Sequence, residues 1–361
     1  MINYRENLKK MEPYVPGRPI ESVKKEYNLT EAVKLASNEN PLGCSPDVAG
    51  AVMKTFGEAQ LYPDGNCTAL REAVSKRYNI SPNRLVFGAG TDDVIAMLGK
   101  ILIDSGDECI TGAVTFSQYA AAVDSMGGTT IYAPMKNHGY DLDGIIGKIN
   151  DKTKMIFIAN PNNPTGTMHT AARQAAFMAE VPGYVTVVFD EAYQEFADNS
   201  DYPDTWQTLK QYKNAVLLKT FSKIYGLASF RVGFGAMDEE MAEQIEKIRC
   251  PFNVSVQGQA AAEAALADVD FVRGSFEKNR ENLLYTTGAL EEMGLFVIPS
   301  QANFVMADVK RDSLEIFEAL MKRGYIIRAG AAFGMDTFIR VTIGTRKQME
   351  GFIQALKCVL A

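Results

Sequence analysis

Three short apolar runs constrain this chain more than any other feature: Met155–Ala159 (MIFIA), Val185–Phe189 (VTVVF) and Val216–Lys219 (VLLK). They are rich in β-branched residues and almost unbroken by polar ones. Strands with one wet face alternate instead, so these must be covered on both sides. Segments long enough for a helix lie between them, Thr170–Ala179 among them. Strands buried on both faces and returned by helices belong to a parallel sheet, so the expected fold is α/β, doubly wound and mostly parallel in three layers. Leu85–Phe87, Cys109–Ile110 and Thr130–Ala133 supply three more short strands, and Asp92–Ile103 another crossover helix.

After about residue 250 the pattern changes. Gln257–Ala267 and Phe271–Met293 read as long helices, the second a bridge. Phe296–Ile298, Phe304–Ala307 and Phe338–Ile343 read as strands around a helix over Ser313–Arg323, a smaller α+β unit. The expected division is an N-terminal arm over 1–45 that joins the small domain, a large domain over 46–255 and a small domain over 256–361.

Composition removes several function classes. The 361 residues carry a formal net charge of −7 with no basic stripe, which argues against a nucleic-acid partner. The first fifteen residues, MINYRENLKKMEPYV, mix charges and hold no signal-like apolar core. No apolar run approaches the roughly 18 residues that span a bilayer, so no membrane is expected and a cytoplasmic location follows. Five scattered cysteines argue against a disulfide framework or a zinc knuckle. The two histidines, His138 and His169, lie near no other candidate group and are expected on the surface. No metal is expected, and the proton chemistry must come from other side chains.

Four local signals occur in order: Gly88-Ala-Gly-Thr-Asp-Asp93, Asn160-Pro-Asn-Asn-Pro-Thr-Gly166, Asp190-Glu-Ala-Tyr193, and Ser222-Lys223 followed by Arg231. Asn163 to Asp190 is 27 residues and Asp190 to Lys223 is 33, each about one strand–helix repeat. That spacing puts the three side chains at the carboxyl ends of parallel strands, where open α/β sheets bind ligands. Alone, each signal has an ordinary explanation as a turn, a solvated helix start or a surface lysine. Together they match what one electrophilic cofactor needs. A lysine amine forms an imine with an aldehyde, and an aspartate keeps a pyridine nitrogen protonated. Asparagine and tyrosine hydrogen-bond a ring phenolate. Ser222, Arg231 and the glycine-rich helix start suit a phosphate.

With those motifs the chain resembles the class I/II aminotransferases, the fold-type-I pyridoxal-phosphate enzymes. The resemblance also rests on Pro13-Tyr-Val-Pro-Gly17, Lys34-Leu-Ala-Ser-Asn-Glu-Asn-Pro-Leu-Gly43 and Tyr62-Pro-Asp64. It continues through Ser222-Lys-Ile-Tyr-Gly-Leu-Ala228, Ala302-Asn-Phe304 and Phe338-Ile-Arg-Val-Thr-Ile-Gly344. The N-terminal pair and the last strand look like the histidinol-phosphate aminotransferase group. Ala89, Asp93 and Val114 stand where the family more often has Asn, Glu and Pro.

The resemblance implies pyridoxal 5'-phosphate on Lys223, which also shuttles the proton. It pairs Asp190 with the pyridinium, sets Asn163 and Tyr193 on the ring oxygen, and stacks Phe116 on the ring. It gives the phosphate to Thr91 and Asp92 through backbone N–H groups, and to Ser222 and Arg231. Tyr62 is implied to reach the neighbouring subunit's cofactor, hence a homodimer with shared active sites. Tyr14, Asn40, Arg328 and Arg340 match positions that line the substrate pocket.

Arg340 also has an argument of its own. Alternation puts Phe338, Arg340 and Thr342 on one face of the last strand and Ile339, Val341 and Ile343 on the other. An arginine between apolar neighbours on an inner strand needs an anion. The implied reaction transfers an amino group from L-histidinol phosphate to 2-oxoglutarate, within histidine biosynthesis. An aromatic amino acid aminotransferase shares nearly every residue named, and a threonine-phosphate decarboxylase shares the cofactor site, so both stay open. A ligand-sensing module of a transcription regulator is disfavoured, because no basic helix-turn-helix segment precedes these motifs and the net charge is negative.

Overall fold

The computed structural model describes residues 2–361. The apolar runs become strands whose alternate side chains enter two cores, which is why so few polar residues interrupt them. We label the large-sheet strands β1 (Leu85–Gly88), β2 (Glu108–Gly112), β3 (Thr129–Ala133), β4 (Thr153–Ala159), β5 (Thr186–Asp190), β6 (Ala215–Thr220) and β7 (Gly233–Ala236). Ile156, Ile158, Val187, Phe189 and Leu217 pack into one core, while Met155, Phe157, Val188, Val216 and Leu218 pack into the other. Truncating one of them, as in Leu217→Ala, costs about 2–5 kcal/mol.

The seven strands lie in the order β1-β7-β6-β5-β4-β2-β3. β6, β5, β4, β2 and β3 pair in parallel, and β7 runs against both β6 and β1. β1 therefore shares the direction of the parallel set. The carboxyl ends of β1, β4, β5 and β6 all open on one edge. Crossover helices α1 (Thr91–Leu102), α2 (Gln118–Met126) and α3 (Ala171–Glu180) follow β1, β2 and β4. The Thr170 hydroxyl caps α3 by accepting from the Arg173 N–H.

β7 was not anticipated from the sequence. Its Gly-Phe-Gly-Ala run carries almost no strand propensity. The small residues serve close approach, since a Cβ on Gly233 would stand 2.6 Å from the Thr91 nitrogen.

Farther along come helices α4 (Val256–Ala267), α5 (Val269–Glu292), α6 (Ser313–Met321) and α7 (Arg346–Leu360). Strands β8 (Phe296–Ile298), β9 (Phe304–Asp308), β10 (Arg328–Ala329) and β11 (Phe338–Thr342) form an antiparallel sheet in the order β8-β9-β11-β10. Its inner face shares a third core with α5 and α7 through Leu290, Val341, Phe352 and Leu356. Residues Val33–Lys34 pair in parallel with Tyr325–Ile326.

The surface placement expected for the histidines needs correction. Both are half-buried. His169 Nε2 lies 2.8 Å from Gln174 Oε1, and burial pulls its imidazole down to about 4. The His138 ring packs 5.8 Å from both Phe296 and Phe338. Each loop folds back over an apolar side chain, which a lone histidine in sequence does not announce. No helix among the described residues is long and apolar enough to cross a membrane.

Candidate active site

Loops from the carboxyl edge of the large sheet, the segment around residues 11–17 and strands of the small sheet enclose a cavity of about 690 Å³. Lys223 enters it from the loop after β6. Its ammonium donates to the Ser37 carbonyl at 3.0 Å and stands 5.5 Å from the centre of the Tyr193 ring.

Asp190 ends β5 and is only 5% exposed. Its carboxylate accepts from the Tyr119 hydroxyl at 2.7 Å and from the Ala192 N–H at 3.1 Å. Burial still pushes the carboxyl up to about 6. Among the described residues no cation lies within ion-pair distance of it. A buried carboxylate without a cation is costly, so the position suits a cationic ligand atom such as a protonated ring nitrogen.

Asn163 and Tyr193 flank this carboxylate with groups left free for a ligand. Asn163 Oδ1 accepts from Arg340 Nη1 at 2.5 Å, which turns its NH2 away from that contact. The Tyr193 hydroxyl accepts from Asn38 Nδ2 at 2.9 Å and keeps its own proton to donate. Phe116 lines the wall and meets Tyr119 edge-on at 5.6 Å.

The start of α1 has first-turn N–H groups without an intrahelical partner, an arrangement that suits an anion. Arg231 approaches it with a left-handed backbone, φ 54°, unusual for a residue with a Cβ. Its guanidinium reaches Ser222 Oγ at 3.3 Å and Asp92 Oδ2 at 3.4 Å. Gly90, at φ 84°, makes that approach possible, because a Cβ there would collide with the guanidinium. Thr91 and Asp92 line the cavity beside it. Burial pushes the Asp92 carboxyl up, against the pull of Arg231 and Lys223.

The opposite wall holds an unbalanced pair of cations. Arg328 on β10 and Arg340 on β11 are direct cross-strand partners. Like charges so placed repel unless an anion lies between them. Arg340 is 6% exposed and sits 5.4 Å from the rings of both Phe304 and Phe333. Its Nη2 donates to the Ala36 carbonyl at 2.5 Å, while its buried Nε has no partner. Burial pulls the guanidinium down to about 10, so it stays charged at neutral pH. Arg328 Nη2 donates to the Val15 carbonyl at 2.9 Å, tying residues 11–17 over the cavity with exposed Tyr14 at the rim.

Two of the sequence-derived positions lie elsewhere in this chain. Asn40 does not line the cavity, and its amide donates to the Ile224 carbonyl at 2.7 Å and to Ser275 Oγ at 3.1 Å. The left-handed backbone at Asn38, φ 57°, turns the loop so that Asn38 faces inward instead. Tyr62 is 83% exposed and stacks on Phe252 at 4.7 Å, outside the cavity. The sequence reading missed Asn38, Ser37, Tyr119 and Phe333. Ser37 and Asn38 lay within a motif already quoted, Asn38 two residues from the asparagine chosen.

Residues 30–356 match the family described as aminotransferase class I and II. The chain is similar to the histidinol-phosphate aminotransferase of Caldicellulosiruptor saccharolyticus, 43% identical over 357 residues that cover 99% of this chain and 100% of the relative. It is also 43% identical to the Bacillus subtilis protein of the same name, over 99% of this chain and 100% of that one. A crystal structure of histidinol-phosphate aminotransferase from Sinorhizobium meliloti in complex with pyridoxal-5'-phosphate superposes with a TM-score of 0.92. It is 27% identical and covers 100% of this chain and 98% of that one.

Proposed function

The chain belongs to the class I and II aminotransferases, and we propose that it transfers the amino group of L-histidinol phosphate to 2-oxoglutarate, within histidine biosynthesis. It is a transaminase that depends on pyridoxal phosphate. When bound, that cofactor supplies an aldehyde that captures the amino donor and a ring that stores the electron pair released at the reacting carbon.

The donor set fits the cofactor on three counts: a buried carboxylate without a cation, a glycine cradle beside an arginine, and a lysine between them. Lys223 would hold the aldehyde carbon and, once displaced, carry the proton at the substrate carbon. Asp190 would keep the ring nitrogen protonated, and Asn163 and Tyr193 would donate to the ring oxygen. Phe116 would cover one ring face. Thr91 and Asp92 N–H groups, Ser222 and Arg231 would hold the phosphate.

The single observation that carries the substrate reading is Arg340, buried without an anion and directly opposite Arg328. Both proposed substrates are anionic, so one arginine pair serves each half-reaction in turn. Tyr14 would close the pocket from the rim.

The same proposal includes a homodimer in the cytoplasm. Tyr62 and the Phe252 it stacks on are both exposed, as is neighbouring Leu61, which suits a second copy whose site Tyr62 would complete. It also divides the chain into an arm over 1–45, a cofactor-holding unit over 46–255 and a small unit over 256–361; the small unit has a core of its own, while α4 and Phe304 pack back into the core of the large sheet.

The test is a half-reaction absorbance assay of the cofactor-loaded enzyme with histidinol phosphate, phenylalanine and tyrosine. Histidinol phosphate should convert the bound cofactor with the highest efficiency. Better turnover of phenylalanine or tyrosine would replace this reading with an aromatic amino acid aminotransferase.

A further inference from the structure

Directly behind the cavity lies a buried group of charges that none of the roles above uses. Lys219, near the end of β6, is 2% exposed. Its ammonium lies 2.7 Å from Gln194 Oε1, 2.6 Å from Glu195 Oε1 and 4.0 Å from Glu191 Oε2. Glu191, also 2% exposed, accepts from the Thr205 hydroxyl through Oε1. Its own N–H donates to the Leu218 carbonyl at 3.0 Å, which extends the β5–β6 pairing by one residue. Burial pushes the Glu191 carboxyl up to about 7, against the pull of Lys219. Burial also opposes the charge on Lys219, but Glu195 and Glu191 outweigh it and hold the ammonium protonated well above its ordinary range.

The connectivity of this group is what matters. Glu191 follows Asp190 directly, and Gln194 and Glu195 follow Tyr193 directly. Lys219 precedes Lys223 by four residues, on the strand that ends just before Ser222. One ammonium thus joins the segment carrying Asp190 and Tyr193 to the strand that leads into Lys223. Apolar side chains of the same volume often stabilise such a space better than ions do, and what ions offer in exchange is fixed direction and register.

We propose that Lys219, Glu191 and Glu195 are positioning residues: a buried ionic latch that sets Asp190 and Tyr193 at a fixed place relative to Lys223. This rests on the roles given above to those three side chains.

The test uses the cofactor-loaded enzyme with Lys219→Met, which keeps the chain length and removes the charge. A displacement of about 1 Å at reacting groups costs about 10²-fold in rate. The expected result is therefore a fall of that order in kcat per bound cofactor. KM for the donor should stay within about threefold, since Arg328 and Arg340 are untouched. Amide hydrogen exchange of the loaded enzyme should speed up at least about tenfold at Glu191, Gln194 and Phe196, whose N–H groups are bonded within this segment and to β6. A kcat within about threefold of wild type overturns the proposal. So does a loss confined to KM, and so does a fall in kcat without faster exchange at those amides.

If Lys219→Met yields no soluble holoenzyme, Glu191→Gln decides the matter, because it keeps the shape and the Thr205 contact. It should lower kcat about tenfold with the same exchange pattern, and a wild-type kcat overturns the latch. Borohydride reduction separates the two levels of the account. A label away from Lys223 removes the reading beneath the latch, whereas a label on Lys223 with an unchanged kcat removes the latch alone.

Discussion

Arg340→Lys separates a substrate phosphate contact from general damage to the site. The wild-type guanidinium donates to Asn163 Oδ1 and to the Ala36 carbonyl, both at 2.5 Å, and has a buried Nε to spare. A lysine ammonium is a point charge without the planar fork, and it cannot serve those two acceptors and an anion in the same geometry. Losing one charge-assisted hydrogen bond to the anion costs about 1.5–3 kcal/mol. That is about 10- to 150-fold in kcat/KM with histidinol phosphate. Histidinol, which lacks the phosphate, should be a poor donor for wild type and should lose less than about threefold in the variant. Any shift of Asn163 affects both donors alike, so the ratio of the two losses isolates the phosphate contact. Lysine also starts from a lower pKa than arginine. The burial that pulls Arg340 down to about 10 will bring deprotonation of the lysine into the alkaline working range, so residual activity should decline as pH rises. Equal fractional losses with both donors, or a loss below about threefold with histidinol phosphate, would refute the assignment of Arg340 to the substrate phosphate.

Asp190→Asn should lower kcat far more than cofactor affinity, and a kcat within about threefold of wild type (about 0.7 kcal/mol of barrier) contradicts the electron-sink role. The same substitution should stabilise the cofactor-free protein. The folded carboxyl is raised from 3.8 to about 6, so its favourable contribution is full below the unfolded pKa and is lost as pH rises through about 6. Removing that penalty is worth about 3 kcal/mol at neutral pH, and thermal unfolding of the two cofactor-free proteins at pH 7.5 and pH 4 measures it. No gain at pH 7.5 contradicts the burial argument. Gly90→Ala forces a Cβ into the Arg231 guanidinium at a left-handed backbone position, so cofactor should dissociate at least about tenfold faster. Unchanged retention in a dialysis assay contradicts the cradle. Mixing inactive Lys223→Ala with a Tyr62→Ala variant shown to be inactive should restore activity in mixed dimers, and failure in verified mixed dimers removes the contribution of Tyr62 across the interface.

The fold was legible where residue pattern and packing coincide. Met155–Ala159 and Val216–Lys219 read as strands because each feeds two cores, and the motif spacing put Asn163, Asp190 and Lys223 at one edge because parallel strands share a direction. Legibility failed where position depends on the backbone's turn rather than on a period. Asn40 and Asn38 sit in the same irregular loop, and only the positive φ at Asn38 decides which faces the cavity. Gly233–Ala236 gave no strand signal because its small residues answer to the approach of Thr91 across space. Tyr119, at the start of α2, meets Asp190, at the end of β5, only across the carboxyl edge of the sheet, a contact 71 residues apart that no local pattern encodes. Lys219 read as the end of an apolar run, and its carboxylate partners become visible only once β5 and β6 are paired.

The account stands most directly on which lysine holds the cofactor. Reducing the loaded enzyme with borohydride and mapping the labelled peptide by mass spectrometry answers that in one measurement. A single label on Lys223, absent from Lys223→Ala prepared in parallel, is the result the geometry predicts. A label on any other lysine, Lys219 included, contradicts the assignment of Lys223 and with it the site built around it.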